Sequence, residues 1–245
     1  NALPDKRKHR GPHPCDEVRF GGGSLQRLVS GTADLSWLLS RGYAANSAVK
    51  IVGDRYDLDS RQRVAIRRCA CGDDQRSRRR RAELSRGQLI GREVWIDGFN
   101  VLTTIEAALS AGPIFRARDE CYRDMASMHG SYRRITETRV AIGRIGEVLE
   151  EEQTQHCRWL FDQPVSNSGR LKTMLRQIAE ENHWNWSIEL VADPDAILKE
   201  CGQVVATADS VILDNVQQWF NLARAVIERK IASAWIVDLS NVVQR

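Results

Sequence analysis

Aspartates recur where short apolar runs of this sequence end. These aspartates are Asp97, Asp162, Asp193 with Asp195, Asp209 and Asp238, and Asp214 follows Asp209 closely. Carboxylates that converge in one crevice repel each other unless a divalent cation lies among them. Mg²⁺ and Mn²⁺ prefer such oxygen ligands and assist phosphoryl chemistry by activating water and stabilising charge on the phosphate. The pattern therefore indicates a metal-assisted reaction on a phosphate ester.

A single aspartate at a strand end has a simpler explanation, because aspartate also begins turns and caps the helix that follows. Its repetition at five predicted strands favours a functional edge over capping alone. Asp214 and Asp238 are the weakest members of the set. Asp214 could support the ligands from outside, and Asp238 could equally be a structural residue at the end of its strand.

The elements that must place these aspartates alternate from Glu93 onward. The pattern predicts strands at 93–97, 157–161, 187–191, 204–207 and 234–238, and helices at 101–109, 169–181, 194–200 and 219–228. Such βα alternation is typical of an α/β fold with a largely parallel sheet covered by helices. Ligands of these sheets bind outside the carboxyl ends of the strands, where the aspartates are expected.

Charge divides the chain into a basic and an acidic part. Residues 1–92 contain 20 Lys and Arg against 10 Asp and Glu, a net +10, whereas residues 93–245 contain 16 against 22, a net −6. We predict a basic α-helical module with an N-terminal arm over 1–92 and an α/β domain over 93–245. The helices of the basic module are expected at 25–39, 46–52 and 60–84, with Ser24 and Ser60 as N-caps.

The basic module indicates a polyanionic partner, and RNA or another nucleic acid is the natural candidate. Its positive stripe consists of Arg61, Arg63, Arg67, Arg68, Arg76, Arg78, Arg79, Arg80 and Arg81. The alternative is that the stripe is only a solvated helix face.

Two segments resemble elements of a known superfamily. Trp95-Ile-Asp-Gly-Phe-Asn-Val-Leu102 resembles the D-G-x-N element that opens NYN domains of the PIN-like ribonuclease superfamily. Ala206-Thr-Ala-Asp-Ser210 resembles the T-x-D/S-x-D element near their fourth strand. The resemblance in order and spacing extends over 93–238. The whole chain also resembles an uncharacterised family of prokaryotic proteins that pair a helical module with a PIN-like domain.

The resemblance implies a Rossmann-like parallel sheet of the PIN type and hydrolysis of RNA phosphodiester bonds with Mg²⁺ or Mn²⁺. Asp97 would be a metal ligand, Asn100 would orient that ligand or the scissile phosphate, and Asp209 would be the acid of the fourth strand. Asp162 and Asp195 match only by their position at strand ends. The implied catalytic residues are thus Asp97, Asn100, Asp162, Asp195 and Asp209, and the four aspartates among them are the implied metal ligands.

Two further segments are candidates for substrate binding. The insertion at 114–134 places arginines beside aromatic residues, which suits single-stranded RNA, and its candidates are Arg116, Arg118, Arg123 and His129. The alternative is a set of ion pairs at near-helical spacing. The loop before the helix at 169–181 resembles a phosphate seat, with candidates Ser166, Asn167, Ser168 and Arg170, although an ordinary helix cap would also explain it.

The leading hypothesis is a Mg²⁺- or Mn²⁺-dependent endoribonuclease. The alternatives are a non-catalytic RNA-binding scaffold and a metal-dependent phosphatase acting on a small phosphate ester. Six cysteines without a repeated spacing predict reduced thiols and a cytoplasmic location. No apolar run approaches the ~20 residues that span a bilayer, so no membrane association is expected, and a homodimer stays open.

Overall fold

A computed structural model describes residues 10–125, 132 and 135–240. The described residues form eleven helices and seven strands. The helices are α1 (Asp16–Phe20), α2 (Gly22–Ser40), α3 (Ala45–Arg55), α4 (Ser60–Cys69), α5 (Asp73–Ala82), α6 (Gly98–Leu109), α7 (Thr138–Glu151), α8 (Ser168–Glu181), α9 (Pro194–Glu200), α10 (Ser210–Leu213) and α11 (Leu222–Lys230). The strands are β1 (Glu93–Asp97), β2 (Pro113–Arg116), β3 (Tyr122–Arg123), β4 (His156–Asp162), β5 (Trp186–Val191), β6 (Val204–Ala206) and β7 (Trp235–Asp238).

The main sheet contains four parallel strands in the order β5-β4-β1-β6. β6 is fully buried, β4 is mostly buried, β1 alternates between buried and partly exposed residues, and β5 at the edge of the sheet is partly exposed. The strands are rich in β-branched and aromatic residues, as expected for a parallel sheet with helices on both faces. One face packs against α6, α7, α8 and α11, and the other packs against α9 and α10. The predicted α/β class with a parallel sheet is confirmed.

The fifth predicted strand lies in a different sheet. β7 pairs in parallel with β2, which pairs antiparallel with β3, so the second sheet has the order β3-β2-β7. The interpretation of one sheet with five acidic strand ends is therefore wrong. The main sheet contributes four such ends, and Asp238 belongs to the second sheet.

The N-terminal helices cover this second sheet. Phe20, Leu28 and Leu35 of α1 and α2 share a hydrophobic cluster with Phe115 of β2 and Val237 of β7. Phe20 and Phe115 meet edge to face, with ring centroids 4.9 Å apart. The basic helices and the α/β region are thus joined by a common apolar core.

The helix boundaries in this region differ from the prediction. The expected helix at 60–84 is two helices, α4 and α5. Gly72 is the N-cap of α5, and its N–H donates to Gln75 Oε1 (3.0 Å), which stabilises the start of the second helix. Asp59, rather than Ser60, caps α4 through a reciprocal pair of bonds with Gln62. Gly21, rather than Ser24, precedes α2.

None of the helices in the described ranges is long and apolar enough to cross a membrane. All six cysteines are free thiols, and four of them are buried. The cytoplasmic location stays a prediction.

Candidate functional site

The carboxyl ends of the four parallel strands carry a line of aspartates, which we call the acidic edge: Asp97, Asp162, Asp193, Asp195 and Asp209. Asp97 is the last residue of β1 and is paired in register with Leu160 of β4. Asp162 lies two residues further along β4, or about 6–7 Å at ~3.3 Å per residue. Since side chains alternate between the faces of a strand, both aspartates project towards the face covered by α9 and α10.

The other members come from the helices on that face. Asp193 is the N-cap of α9, where its side chain accepts from the Ala196 N–H (3.0 Å), and Asp195 lies in the first turn. Asp209 is the N-cap of α10 and accepts from the N–H groups of Val211 (2.7 Å) and Ile212 (3.2 Å). Helix capping therefore explains the local geometry of Asp193 and Asp209, but it does not explain Asp97.

Thr207 joins Asp97 to Asp209. Its hydroxyl donates to Asp97 Oδ2 (2.7 Å) and accepts from the Asp209 N–H (3.0 Å). The N–H of Ala208, the residue after Thr207, donates to Asn100 Oδ1 (2.8 Å). The two segments that resemble NYN elements, 95–102 and 206–210, are therefore hydrogen-bonded to each other across β1 and β6.

Gly98 allows the chain to turn from β1 into α6 immediately after Asp97. A Cβ at this position would lie 2.4 Å from Cε1 of Phe161, which is buried beneath it. Phe161 also packs edge to face on Phe99, with ring centroids 4.9 Å apart. A glycine is therefore required here by close packing, and it lets the amide of Asn100 reach the segment after β6.

The pKa values of three carboxyl groups of the acidic edge are raised. Burial, together with the charges of Asp195 and Asp209, raises the pKa of Asp97 from 3.8 to about 7 against the opposing effect of the hydrogen bond from Thr207. Partial loss of solvation raises the pKa of Asp195 as well, and the charges of Asp209, Asp162 and Asp193 add to it. The pKa of Asp162 is raised by burial and by Asp193. Asp97, Asp162, Asp195 and Asp209 therefore share one electrostatic field.

The carboxylates are nevertheless not drawn into a tight cage. Within the described part of the chain, no group of three or more His, Cys, Asp or Glu side chains is placed to hold a metal ion together. Asp195 is exposed, and Asp97, Asp162 and Asp209 are partly exposed. The edge is open to solvent, so it presents hard oxygen donors without a preassembled cluster of three.

The arginines of the insertion do not form the expected open lip. Arg123 is 8% exposed and donates two bonds to Asp119 (2.7 and 2.8 Å) and one to the carbonyl of Ala208 (2.9 Å). Arg118 is 3% exposed and donates to the carbonyl of Cys71 (2.7 Å) and to Asp73 (2.5 Å).

Arg116 is about a third exposed and pairs with Glu120 (2.6 Å) and Asp238 (3.3 Å). The alternative of ion pairs fits better, because Arg116 pairs with Glu120 and Arg123 pairs with Asp119, although these residues lie on and between the antiparallel strands β2 and β3 and not on a helix. Carboxylates and carbonyls of the chain bind the guanidinium groups that we expected to face RNA. His129 lies outside the described residues.

A buried ion-pair network that the sequence did not reveal reaches the acidic edge. Arg79 is 1% exposed and donates to Asp119 (2.6 Å), to Asp214 (2.8 Å) and to the carbonyl of Ser210 (3.2 Å). Asp119 in turn holds Arg123, whose third bond is to Ala208. The cations Arg123 and Arg79 hold the pKa of Asp119 far below its usual range despite its burial.

The two weakest acidic candidates, Asp214 and Asp238, also form ion pairs with arginines. Asp214 pairs with Arg79 and accepts from Gln75 (2.6 Å), so it binds α5 rather than supporting a metal ligand. Asp238 pairs with Arg116 and accepts from the hydroxyl of Ser240 (2.6 Å). Both are structural residues. No signal in the sequence separates Arg79 from its neighbours Arg78, Arg80 and Arg81.

The loop before α8, which was predicted to form a phosphate seat, leaves two of its four candidate side chains available. Asn167 is the N-cap, has a positive φ of 69° and makes no side-chain cap, so neither Ser166 nor Ser168 caps the helix. The Asn167 amide donates to the carbonyl of Tyr132 (3.0 Å), and Ser168 is buried. Ser166 and Arg170 are exposed at the helix start. A phosphate seat here stays a prediction that rests on these two side chains.

Comparisons with known proteins place the acidic edge within a single family match. The model described as "Domain of unknown function (DUF5616)" matches residues 86–225, and the model described as "Protein of unknown function (DUF434)" matches residues 27–81. The chain is 30% identical over 197 residues to the uncharacterized protein MJ0935 of Methanocaldococcus jannaschii, covering 80% of this chain and 94% of that protein. No solved structure matches the chain. Every residue of the acidic edge falls inside the first match.

Proposed function

Since this chain belongs to the family described as a domain of unknown function (DUF5616), we propose a function from its acidic edge: metal-dependent hydrolysis of RNA phosphodiester bonds. The finer fold assignment, a PIN-like domain of the NYN type, is part of the same proposal. The single observation that carries it is the bridge from Asp97 through Thr207 to Asp209, with Asn100 bound to Ala208 beside it.

The donor set suits Mg²⁺ or Mn²⁺ in its chemistry. All candidate ligands are carboxylate oxygens. Burial and the charges of neighbouring carboxylates raise the pKa values of Asp97 and Asp195, and a divalent cation would offset this repulsion. Mg²⁺ keeps several waters and is commonly held by one or two carboxylates together with substrate phosphates, so a cage of three protein ligands is not required. Asp97 and Asp209 would hold the ion, with Asp195 and Asp162 beside them.

When bound, such an ion would lower the pKa of a coordinated water and neutralise charge on the phosphate. The residues of this chain supply the geometry. Thr207 fixes the Asp97 carboxylate through a bond to one of its oxygens, and Asn100 fixes the backbone that carries Asp209. These bonds hold the two carboxyl groups on one side of the sheet before any substrate arrives.

RNA as the substrate is supported by the charge of the N-terminal helices, although fewer arginines are available to bind it than the sequence indicates. Arg61, Arg63, Arg68 and Arg79 of the predicted stripe form ion pairs with Asp16, Asp54, Asp124 and Asp119, respectively. Arg67, Arg80 and Arg81 are exposed and make no ion pair with any described residue. We assign contacts with RNA phosphates to Arg67 and Arg81.

The test is cleavage of labelled single-stranded RNA by the full chain, with Mg²⁺ or Mn²⁺ and with a chelator. We expect cleavage to require metal, and Asp97→Asn and Asp209→Asn should each reduce the rate at least about 100-fold. Asp74→Asn is the matched control, because Asp74 is exposed in the first turn of α5, away from the edge. Metal-independent cleavage, or undiminished cleavage by purified Asp97→Asn, would reject the proposal.

The alternative is a non-catalytic RNA-binding scaffold, and the observation favouring it is the lack of three grouped ligands among the described residues. The same assay separates the two functions. A scaffold binds RNA and cleaves none of it with any divalent ion, whereas the nuclease cleaves it. A small phosphate ester such as p-nitrophenyl phosphate, included in parallel, tests the phosphatase alternative.

A further inference from the structure

A second candidate site lies between α5 and the segment that joins β2 to β3. It is a cavity of about 370 Å³, which we call the arginine cavity, and it is lined by Arg76, Arg80, Glu83, Arg116, Arg118, Asp119 and Glu120. Its size falls in the ~300–1,000 Å³ range of small-ligand sites. Four guanidinium groups from three different parts of the chain therefore surround one space.

The carboxylates of the cavity are already neutralised by their own partners. Both oxygens of Asp119 are bound by Arg79 and Arg123, neither of which lines the cavity. Glu120 accepts from Arg116 (2.6 Å) and from Arg224 (3.1 Å). Glu83 is the third carboxyl group of the lining, and burial raises its pKa. Asp119 and Glu120 thus leave little negative charge to compensate further cations.

The cavity also contains donors that the protein does not use. Arg118 is 3% exposed, and its Nε–H is buried without a hydrogen-bond partner, although both terminal nitrogens are bound. Leaving a buried charged donor unsatisfied is costly. Arg76 and Arg80 lie one turn apart on α5, and their guanidinium groups bind no described residue.

We propose that the arginine cavity binds a phosphate group. A phosphate presents several acceptor oxygens in a tetrahedral arrangement, so it can accept from guanidinium groups that approach from different sides. A planar carboxylate would satisfy only one such fork. The ligand would therefore accept from Arg76, Arg80 and the free Nε–H of Arg118.

Hydrogen bonds connect the cavity to the acidic edge, but the two sites share no residue. Asp119 lines the cavity, and the Arg123 that it holds donates to Ala208, next to Asp209. None of the aspartates of the acidic edge lines the cavity. Phosphate binding here does not require hydrolysis at the acidic edge, so the inference stands apart from the proposed nuclease.

The test is calorimetric titration of the full chain with inorganic phosphate in chloride buffer of constant ionic strength. We expect saturable binding, weakened about tenfold or more by Arg76→Gln and by Arg80→Gln, since a charge-assisted bond is lost in each. Arg176→Gln is the control, because Arg176 is exposed on α8 and its replacement removes the same charge outside the cavity. Binding should also persist in Asp97→Asn.

Two further probes identify the source of the phosphate. Adenosine monophosphate presents a terminal phosphate, and single-stranded RNA with a 5′-hydroxyl presents only backbone phosphates. Sensitivity to Arg80→Gln with either probe supports the cavity and names its ligand class. The inference is overturned if no probe binds saturably, if Arg176→Gln weakens phosphate binding as much as Arg80→Gln, or if Asp97→Asn abolishes it.

Discussion

Asp97 is subject to burial and to the field of two neighbouring carboxylates at the same time. Together they raise its pKa from 3.8 to about 7, and the bond from Thr207 only partly offsets them. A carboxyl group whose pKa is higher in the folded than in the unfolded chain binds extra protons when folded. Its contribution to stability is therefore lost as the pH rises from about 4 towards about 7.

Replacing Asp97 by Asn should remove this loss, because the amide keeps the acceptor for Thr207 and carries no charge. Without metal, we expect Asp97→Asn to be more stable than wild type at pH ~8 by on the order of 2 kcal/mol, after allowance for solvent screening. The difference should shrink at pH ~5. Urea denaturation at both pH values in EDTA measures it. An equal difference at both values would contradict the raised pKa.

Thr207 was not among the functional residues predicted from the sequence, although it lies within the segment 206–210 that resembles an NYN element. Thr207→Val keeps the shape but leaves Asp97 and the Asp209 N–H without their shared partner, whereas Thr207→Ser keeps the hydroxyl. We expect Val, but not Ser, to cost about 1–3 kcal/mol of stability. RNA cleavage by the Val variant should fall about 10- to 100-fold. Identical stability of the two variants would show that the bridge has no energetic role.

At the level of elements, α5 is bound to the α/β region by Arg79. Its guanidinium is held by Asp119 and Asp214, and the carbonyl of the same residue accepts from Trp219 Nε1 (2.7 Å). The backbone around it continues this contact, because the Trp219 N–H donates to the carbonyl of Ala82 (3.0 Å) and the Leu84 N–H donates to the carbonyl of Trp219 (2.8 Å). The helix therefore meets the segment between α10 and α11 through side chain and backbone together.

Breaking this contact should be expensive. Arg79→Met leaves the buried Asp119 with only Arg123 as its cation, and removing one partner of a buried ion pair costs about 3–5 kcal/mol. Arg81→Met, on the exposed face of the same helix, should stay within about 0.5 kcal/mol of wild type. Chemical denaturation at neutral pH compares the two. Equal effects of both substitutions would contradict the assigned network.

The sequence predicted the elements well where local pattern decides them, and poorly where tertiary contacts do. Short apolar runs that alternate with amphipathic stretches located β1, β4, β5 and β6, and the residues at their ends were found because carboxyl ends of parallel strands share one edge. The pairing of β7 with β2 depends on long-range contacts that no local pattern encodes. Arg79 looked like one arginine in an exposed run, because its helix face is chosen by the partner surface.

On the scale of the whole molecule, the N-terminal helices are part of the packing of the α/β region. Phe115 is fully buried and Val237 is 3% exposed, and both lie against Phe20, Leu28 and Leu35. Removing residues 1–92 would expose this face of the second sheet and remove Arg79 from Asp119. Deletion is therefore a poor way to test whether the basic half binds RNA.

We expect the fragment 93–245 to be unable to fold stably by itself. The loss of the shared apolar cluster and of a buried ion pair is of the same order as the roughly 5–15 kcal/mol by which domains of this kind are stable. Circular dichroism and denaturation of the purified fragment measure this outcome. A cooperative unfolding transition close to that of the full chain would show that the two parts are independent.

The electrostatic role of the basic half is better tested with single charges in the folded chain. Arg67 and Arg81 are exposed on α4 and α5 and pair with no carboxylate among the described residues, so each is free to contact a phosphate. Each contact to single-stranded nucleic acid releases counterions and contributes about −0.7 to the slope of log affinity against log salt.

The double variant Arg67→Gln with Arg81→Gln should flatten that slope by about 1.4 and weaken binding most at low salt. Arg176→Gln is the control, because Arg176 is exposed on α8 and carries the same charge outside the basic half. Fluorescence anisotropy of labelled RNA over a salt series gives the slopes. If Arg176→Gln flattens the slope as much per charge as the double variant does, RNA is attracted by net charge alone and the N-terminal helices are not its docking surface.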